Sequence, residues 1–167
     1  MNTEFIVSMI GTDRSGLIKQ CMQATQDLEG LWLSSRFSNL DGQLAALIKL
    51  SVAEQNVQQL QQFFSALPDL TVQFSPSCGT VNSHETTLKL NIEARDRFGL
   101  INQITERLLS LGVIITDMKC NRISVIEIGG SLLSADITLH LPAETTPEQV
   151  LNKLDNLGDN AVVNVID

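Results

Sequence analysis

Two stretches of the chain alternate between apolar and polar residues in the same way. The apolar positions are Phe5, Val7 and Met9 near the start, and Leu88, Leu90 and Ile92 in the second half. In the second stretch, Lys89, Asn91 and Glu93 fill the positions between them. An apolar residue at every second position predicts a β-strand that buries one face and exposes the other.

Each predicted strand is followed by the same short sequence and then by an amphipathic helix. Residues 13–18, Asp-Arg-Ser-Gly-Leu-Ile, recur as residues 96–101, Asp-Arg-Phe-Gly-Leu-Ile. The apolar positions with helical spacing are Leu17, Cys21, Ala24 and Leu28 in the first copy, and Ile101, Ile104, Leu108 and Leu111 in the second. Both helices are predicted to end at a glycine, Gly30 or Gly112, as helices commonly do.

The remainder of each copy predicts two more strands, a second helix and a last strand. The strands are expected at 31–39, 44–52 and 70–74 in the first copy, and at 113–122, 133–141 and 161–166 in the second. Asp41-Gly42 predicts a tight hairpin in the first copy, whereas the second copy has a longer connection before Gly129-Gly130. The second helices have the apolar stripes Val57, Leu60, Phe64 and Leu67, and Val150, Leu154 and Leu157. Thr146, Pro147 and Gln149 predict a capping box at the start of the last helix.

The order β-α-β-β-α-β, found twice, predicts an α+β fold of two ferredoxin-like modules in tandem, with antiparallel sheets and the helices on one face. A repeat of this length indicates domain duplication. We predict a first domain at 1–76, a linker at 77–85 and a second domain at 86–167, because Ser75 to Glu85 has no periodicity and contains proline and glycine. The open sheet face of the first module is expected to be apolar, with Ile6, Ile10, Ala45 and Leu47. The modules are therefore expected to pair with each other, or the chain to form a homodimer.

Composition restricts the classes of partner. The chain has 11 basic and 19 acidic residues, a net charge of −8, and no run of lysine or arginine. Direct contact with nucleic acid or an anionic membrane is therefore not expected. Cys21, Cys78 and Cys120 have no CxxC spacing, and no secretory leader or membrane span is predicted, so we expect a cytoplasmic protein.

The repeated loop is the candidate site, and its residues allow two interpretations. A helix N-terminus offers free N–H groups to a carboxylate, and Asp13 or Asp96 can accept an ammonium group. Alternatively, the aspartate caps the helix and the glycine permits a turn. For Arg14 and Arg97, we favour a role as solvent-exposed surface side chains over bidentate hydrogen bonding to an effector carboxylate.

The loop and its setting resemble the ACT domain, in Gly11-Thr12-Asp13-Arg14-Ser15-Gly16-Leu17 and again in Ala94-Arg95-Asp96-Arg97-Phe98-Gly99-Leu100. ACT domains typically bind amino acids or other small effectors where the first loop and helix of one module meet a strand of its partner. Carried over by position, the expected ligand-binding residues are Gly11, Asp13, Gly16 and Leu17, then Ala94, Asp96, Gly99 and Leu100. Ala94 in place of Gly11, and Phe98 in place of Ser15, lead us to expect more room in the first copy.

The tandem arrangement is similar to that of ACT-domain transcriptional repressors. This resemblance implies an effector such as glycine or another amino acid, and contact with a DNA-binding transcriptional activator of the glycine cleavage operon. A tandem ACT regulatory subunit that serves another effector or an enzyme is the alternative. An RNA-binding module is disfavoured because the strands lack stacking aromatics. An acylphosphatase-like enzyme is disfavoured because the aspartate in both loops has the wrong charge for a phosphate-cradling loop.

No catalytic machinery, metal site or cofactor is expected. The sequence has no GxSxG, P-loop, HExxH or GxGxxG motif. His84, His140 and Cys78 are too scattered to supply the three or four ligands that a metal needs. We therefore expect a protein that is not an enzyme.

The charge balance yields a direct prediction. The chain alone should show no appreciable affinity for duplex DNA at physiological salt, because it has a net charge of −8 and no run of lysine or arginine to release counterions from the phosphates. A mobility-shift titration measures this. A salt-sensitive shift at sub-micromolar protein without any partner would contradict it.

Overall fold

The alternating strands and amphipathic helices assemble into two units in a computed structural model of the chain. The structure describes residues 1–79, 86–126, 129–155, 157–158 and 161–166. The chain divides into the compact units Met1–Gly79 and Thr80–Asp167. The predicted linker at 77–85 lies mostly outside the described residues, so its bounds remain a prediction.

The first unit is a βαββαβ module. Its elements are β1 (Asn2–Thr12), α1 (Leu17–Asp27), β2 (Leu31–Leu40), β3 (Gln43–Ala53), α2 (Glu54–Ser65) and β4 (Leu70–Pro76). The sheet order is β2-β3-β1-β4, with antiparallel pairing throughout. In this register Val7 lies opposite Ile48 on β3 and Phe74 on β4, so side chains of one face meet across three strands.

The second unit repeats this topology. Its elements are β5 (Thr86–Arg95), α3 (Leu100–Leu109), β6 (Ile114–Val125), β7 (Gly130–Leu141), α4 (Pro147–Leu154) and β8 (Val162–Ile166). The sheet order β6-β7-β5-β8 matches that of the first unit strand for strand. The predicted ferredoxin-like fold is confirmed in both copies.

Each unit has its own core between the sheet and the two helices. The predicted strand positions Phe5, Val7 and Met9, and Leu88, Leu90 and Ile92, are all buried. In the first unit Leu60 and Phe64 of α2 are fully buried against the sheet. The core also holds Thr25, which the apolar stripe did not predict. Its Oγ1 donates to the Cys21 carbonyl at 2.9 Å and accepts from Trp32 Nε1 at 3.1 Å. The buried hydroxyl is therefore hydrogen-bonded both as a donor and as an acceptor.

The helix ends differ from the prediction. α1 ends at Asp27 and α3 at Leu109, before the glycines that were expected to stop them. After α1 the left-handed residue is Glu29, with φ 54°. Gly30 serves another purpose, because a Cβ there would lie 2.8 Å from Thr25 Cγ2. After α3, Gly112 does adopt the left-handed conformation, with φ 70°.

Two local predictions are confirmed in detail. The hairpin between β2 and β3 turns at Asp41 and Gly42, with φ 52° and 77°, as a tight turn with two positive φ angles requires. At the start of α4, the Gln149 backbone N–H donates to Thr146 Oγ1, and the Thr146 N–H donates to the Gln149 side chain. This reciprocal pair is the predicted capping box.

The open sheet faces of the two units differ in character. In the first unit this face carries Ile10, 57% exposed, and Leu47, 53% exposed. In the second unit, exposed Lys89, Glu93 and Asp136 occupy the same face.

Within the described residues, no helix is long and apolar enough to cross a membrane.

The capping box leads to a stability prediction. Thr146→Ala removes the side-chain acceptor for the Gln149 N–H and should lower the free energy of unfolding by about 1 kcal/mol. Thr146→Ser keeps the acceptor and is the matched control. Urea denaturation followed by circular dichroism measures both, and equal loss in the two variants would show that the cap contributes nothing.

Candidate functional site

The repeated loops adopt the same backbone in both units, and glycine is needed there for its conformation. Gly16 precedes α1 with φ 82°, and Gly99 precedes α3 with φ 78°. A Cβ at either position would meet nothing within 4 Å. The left-handed conformation, which residues with a Cβ adopt at a cost, is therefore sufficient to explain glycine at both positions.

The aspartates do not cap the helices. Neither α1 nor α3 has a side-chain hydrogen bond at its cap, so that interpretation of Asp13 and Asp96 is wrong. Instead, Asp13 Oδ2 accepts a hydrogen bond from Asn39 Nδ2 at 2.7 Å, and the Asp13 N–H donates to the Gly42 carbonyl at 2.9 Å. The aspartate thus ties the loop to the hairpin between β2 and β3.

Asp96 connects its loop to the rest of the second unit in the equivalent way, but its hydrogen-bond partners are different. Its Oδ2 accepts from Arg122 Nε at 2.9 Å and from Ser131 Oγ at 3.3 Å, and its N–H donates to the Ser131 carbonyl at 2.8 Å. The Asp96 side chain is only 15% exposed. In both copies, Oδ1 of the aspartate makes no hydrogen bond within the described residues, which leaves it available to a ligand.

The expectation of more room in the first copy is wrong. A Cβ on Gly11 would lie 2.1 Å from the Asp69 carbonyl oxygen, because the start of β4 runs against this glycine. The Thr12 N–H also donates to that oxygen at 3.2 Å. The space that the missing side chain provides is therefore filled by the chain's own backbone.

The second unit has a cleft at this place. Its volume is about 540 Å³, and its lining residues are Ala94, Arg95, Asp96, Arg97, Leu100, Leu157, Gly158 and Ala161. Three residues predicted as ligand contacts, Ala94, Asp96 and Leu100, come together here. The first unit has a shallower depression of about 310 Å³ formed by residues 13–19 alone. Its Leu17 is 1% exposed and belongs to the core.

The loop arginines are exposed and reach along their helices. Arg14 donates to the Gln20 side chain at 3.2 Å, and Arg97 donates to Gln103, the equivalent glutamine. Arg97 also donates to the Leu157 carbonyl at 2.9 Å, which places its guanidinium at the edge of the cleft. This second bond ties the loop to the segment after α4.

Two surface features were not predicted from the sequence. Phe98 is fully exposed at the tip of the second loop. A groove of about 630 Å³ runs between α1 and α2, with Ala24, Leu28 and Phe63 among its lining residues and glutamines at its rim. Helical periodicity places these residues on the helices but does not show that the two helices leave a gap between them.

Two of the three cysteines, Cys21 and Cys120, are poorly suited to act as nucleophiles in this fold. Burial raises the pKa of the Cys21 thiol to about 11, and the charge of Arg14 opposes this shift. Burial also raises the pKa of Cys120, against the opposing charge of Arg122. Both thiols are protonated at neutral pH. No group of three metal-ligating side chains occurs among the described residues.

Comparisons with known proteins bear on the family and the fold. Residues 3–75 match the family model of the ACT domain. A comparison with curated proteins finds no match.

Two solved structures extend over the whole chain. An unknown protein from Galdieria sulphuraria is 20% identical, with a TM-score of 0.85 over 99% of this chain and 98% of that chain. A protein described as a "putative glycine cleavage system transcriptional repressor" is 16% identical, with a TM-score of 0.71 over 100% and 99% of the two chains. At these identities the structural matches show the fold. Residues 3–75 are therefore similar in sequence to the ACT domain, and the chain folds as two ACT-type modules in tandem.

Proposed function

We propose that this chain is an amino-acid-responsive regulatory protein without catalytic activity, whose effectors bind at the repeated loops. The observation that carries the proposal is the cleft of the second unit, where Ala94, Asp96 and Leu100 meet the start of α3. The cleft combines a carboxylate, a guanidinium and a helix N-terminus. This combination is suited to the two charged groups of an amino acid.

Each charged group of an amino acid has a counterpart in the cleft. The backbone N–H groups at the start of α3 and the guanidinium of Arg97 favour the ligand's carboxylate. Asp96 Oδ1 is left to accept the ammonium group, since Oδ2 is held by Arg122 and Ser131. Leu100 supplies an apolar wall. In the first unit, Asp13 and Gly16, in the depression formed by residues 13–19, would form a shallower version of the same arrangement.

The more specific proposal is that the chain regulates transcription in the cytoplasm. The chain would repress the glycine cleavage operon by contact with a DNA-binding activator, with glycine as the effector. The net charge of −8 supports action through protein contact, because it disfavours direct binding to DNA. The apolar open face of the first unit, with Ile10 and Leu47, is a candidate surface for that activator or for a second copy.

Effector binding is tested by isothermal calorimetry of the full chain against glycine and the other amino acids. Glycine or another amino acid should bind, and Asp96→Asn should weaken binding about tenfold or more, because it removes a charged hydrogen bond. Asparagine still accepts from Ser131, so the variant should remain folded. Glu93→Gln, a carboxylate on the open sheet face, is the control. Binding that is unchanged in both Asp96→Asn and Asp13→Asn would place the effector site elsewhere.

The regulatory proposal is tested with a reporter of glycine cleavage operon transcription in cells. Deletion of the gene should raise reporter expression, and the wild-type chain should restore repression when glycine is scarce. Asp96→Asn should repress without responding to glycine, because the effector no longer binds well. An unchanged reporter after deletion would contradict the repressor role while leaving effector binding open to the calorimetric test.

A further inference from the structure

The two loops differ in charge although their backbones are alike. Position by position, Thr12 in the first copy corresponds to Arg95 in the second. Both copies continue with aspartate and arginine. The partner of the aspartate is neutral Asn39 in the first copy and cationic Arg122 in the second.

The numbers of carboxylates and guanidiniums differ between the two copies. The first loop has one carboxylate and one guanidinium, so its charges balance. Counted over residues 94–100 and the side chain that pairs with Asp96, the second has three guanidiniums, those of Arg95, Arg97 and Arg122, and a single carboxylate, that of Asp96. Arg122 lies 2.9 Å from Asp96 and neutralises it. The other two guanidiniums are therefore not compensated by Asp96, although both residues line the cleft.

Arg95 is the least constrained of the three. It forms no hydrogen bond or ion pair with any residue in the described ranges. Its guanidinium lies beside Gly130 at the start of β7, where a Cβ would be 3.9 Å from Arg95 Nε. A structural role would leave a hydrogen bond or ion pair, and the part of the chain that the structure describes provides none for Arg95. Because nearby like charges repel, a bound anion would lower the electrostatic repulsion among these guanidiniums.

We infer that the cleft of the second unit selects ligands of net negative charge, with a phosphate group or with a second carboxylate, over neutral zwitterions such as glycine. The inference rests on the proposed function in placing the effector at this loop, and it narrows the chemistry of that effector. The first loop, with balanced charges, suits the zwitterion. The chain's net charge of −8 does not cancel this local preference, because charges farther away than about 8–10 Å are screened at physiological salt.

The test is calorimetry of the full chain against inorganic phosphate, succinate and glycine, each at low and at physiological ionic strength. Phosphate or succinate should bind, more weakly as salt is added, and whichever binds identifies the anionic group that the cleft prefers. Arg95→Gln should weaken that binding about tenfold or more. Arg14→Gln, the matched change in the first loop, should leave it unchanged. Since Arg95 has no partner in the described residues, the variant should melt at the same temperature as the parent.

The outcomes separate this inference from the proposed function. If phosphate and succinate both fail to bind, or bind equally well to Arg95→Gln, the inference is overturned, and glycine binding by the same chain would leave the proposed function intact. If an anion binds through Arg95 and no amino acid binds, the inference stands and the amino-acid proposal fails. Loss of anion binding in Arg14→Gln alone would also overturn the inference, because it would move the site to the first unit.

Discussion

The position of the loop-bearing strand at the centre of each sheet determines where the rest of the module can lie. β1 pairs with β3 on one side and β4 on the other, and β5 lies in the same way between β7 and β8. The chain must leave this strand beside the neighbouring hairpin in order to reach the helix layer. The backbone N–H of the aspartate then donates to that hairpin, at Gly42 in one copy and Ser131 in the other. Loop, hairpin and helix start are consequently held together as one structure in both units.

Alternation and helical spacing were enough to predict this architecture, because the buried positions repeat with the period of each element. Val7 and Leu90 lie where their alternation places them. The contacts of the loop could not be predicted in the same way. Asn39 and Arg122 are each 26 positions beyond the aspartate they bind, and only the register of the folded hairpin brings them there. Thr25 was missed for a related reason, since its burial depends on the indole of Trp32 as a hydrogen-bond donor.

Gly11 shows how a motif residue can be assigned the wrong cause. Its small size suggested space for a ligand, yet the Asp69 carbonyl fills that space. In the second unit the pairing between β5 and the last strand extends as far as Glu93, opposite Val162, and does not include Ala94. A cleft remains there, between the loop and the segment that follows α4. The residue at the motif position therefore does not by itself decide which copy has room.

Because the buried positions and the exposed loop positions have separate roles, a duplicated module can diverge in chemistry without losing its fold. Stability depends on the buried positions, such as Leu60, Phe64 and Ile104, which neither loop alters. The charge of each loop depends on exposed positions, where Thr12 and Arg95, or Asn39 and Arg122, occupy the same backbone sites. Exchange of such residues changes the local field by a full charge at little cost to folding, because the side chains remain in contact with water. Two sites with one backbone can therefore differ in the ligands they attract.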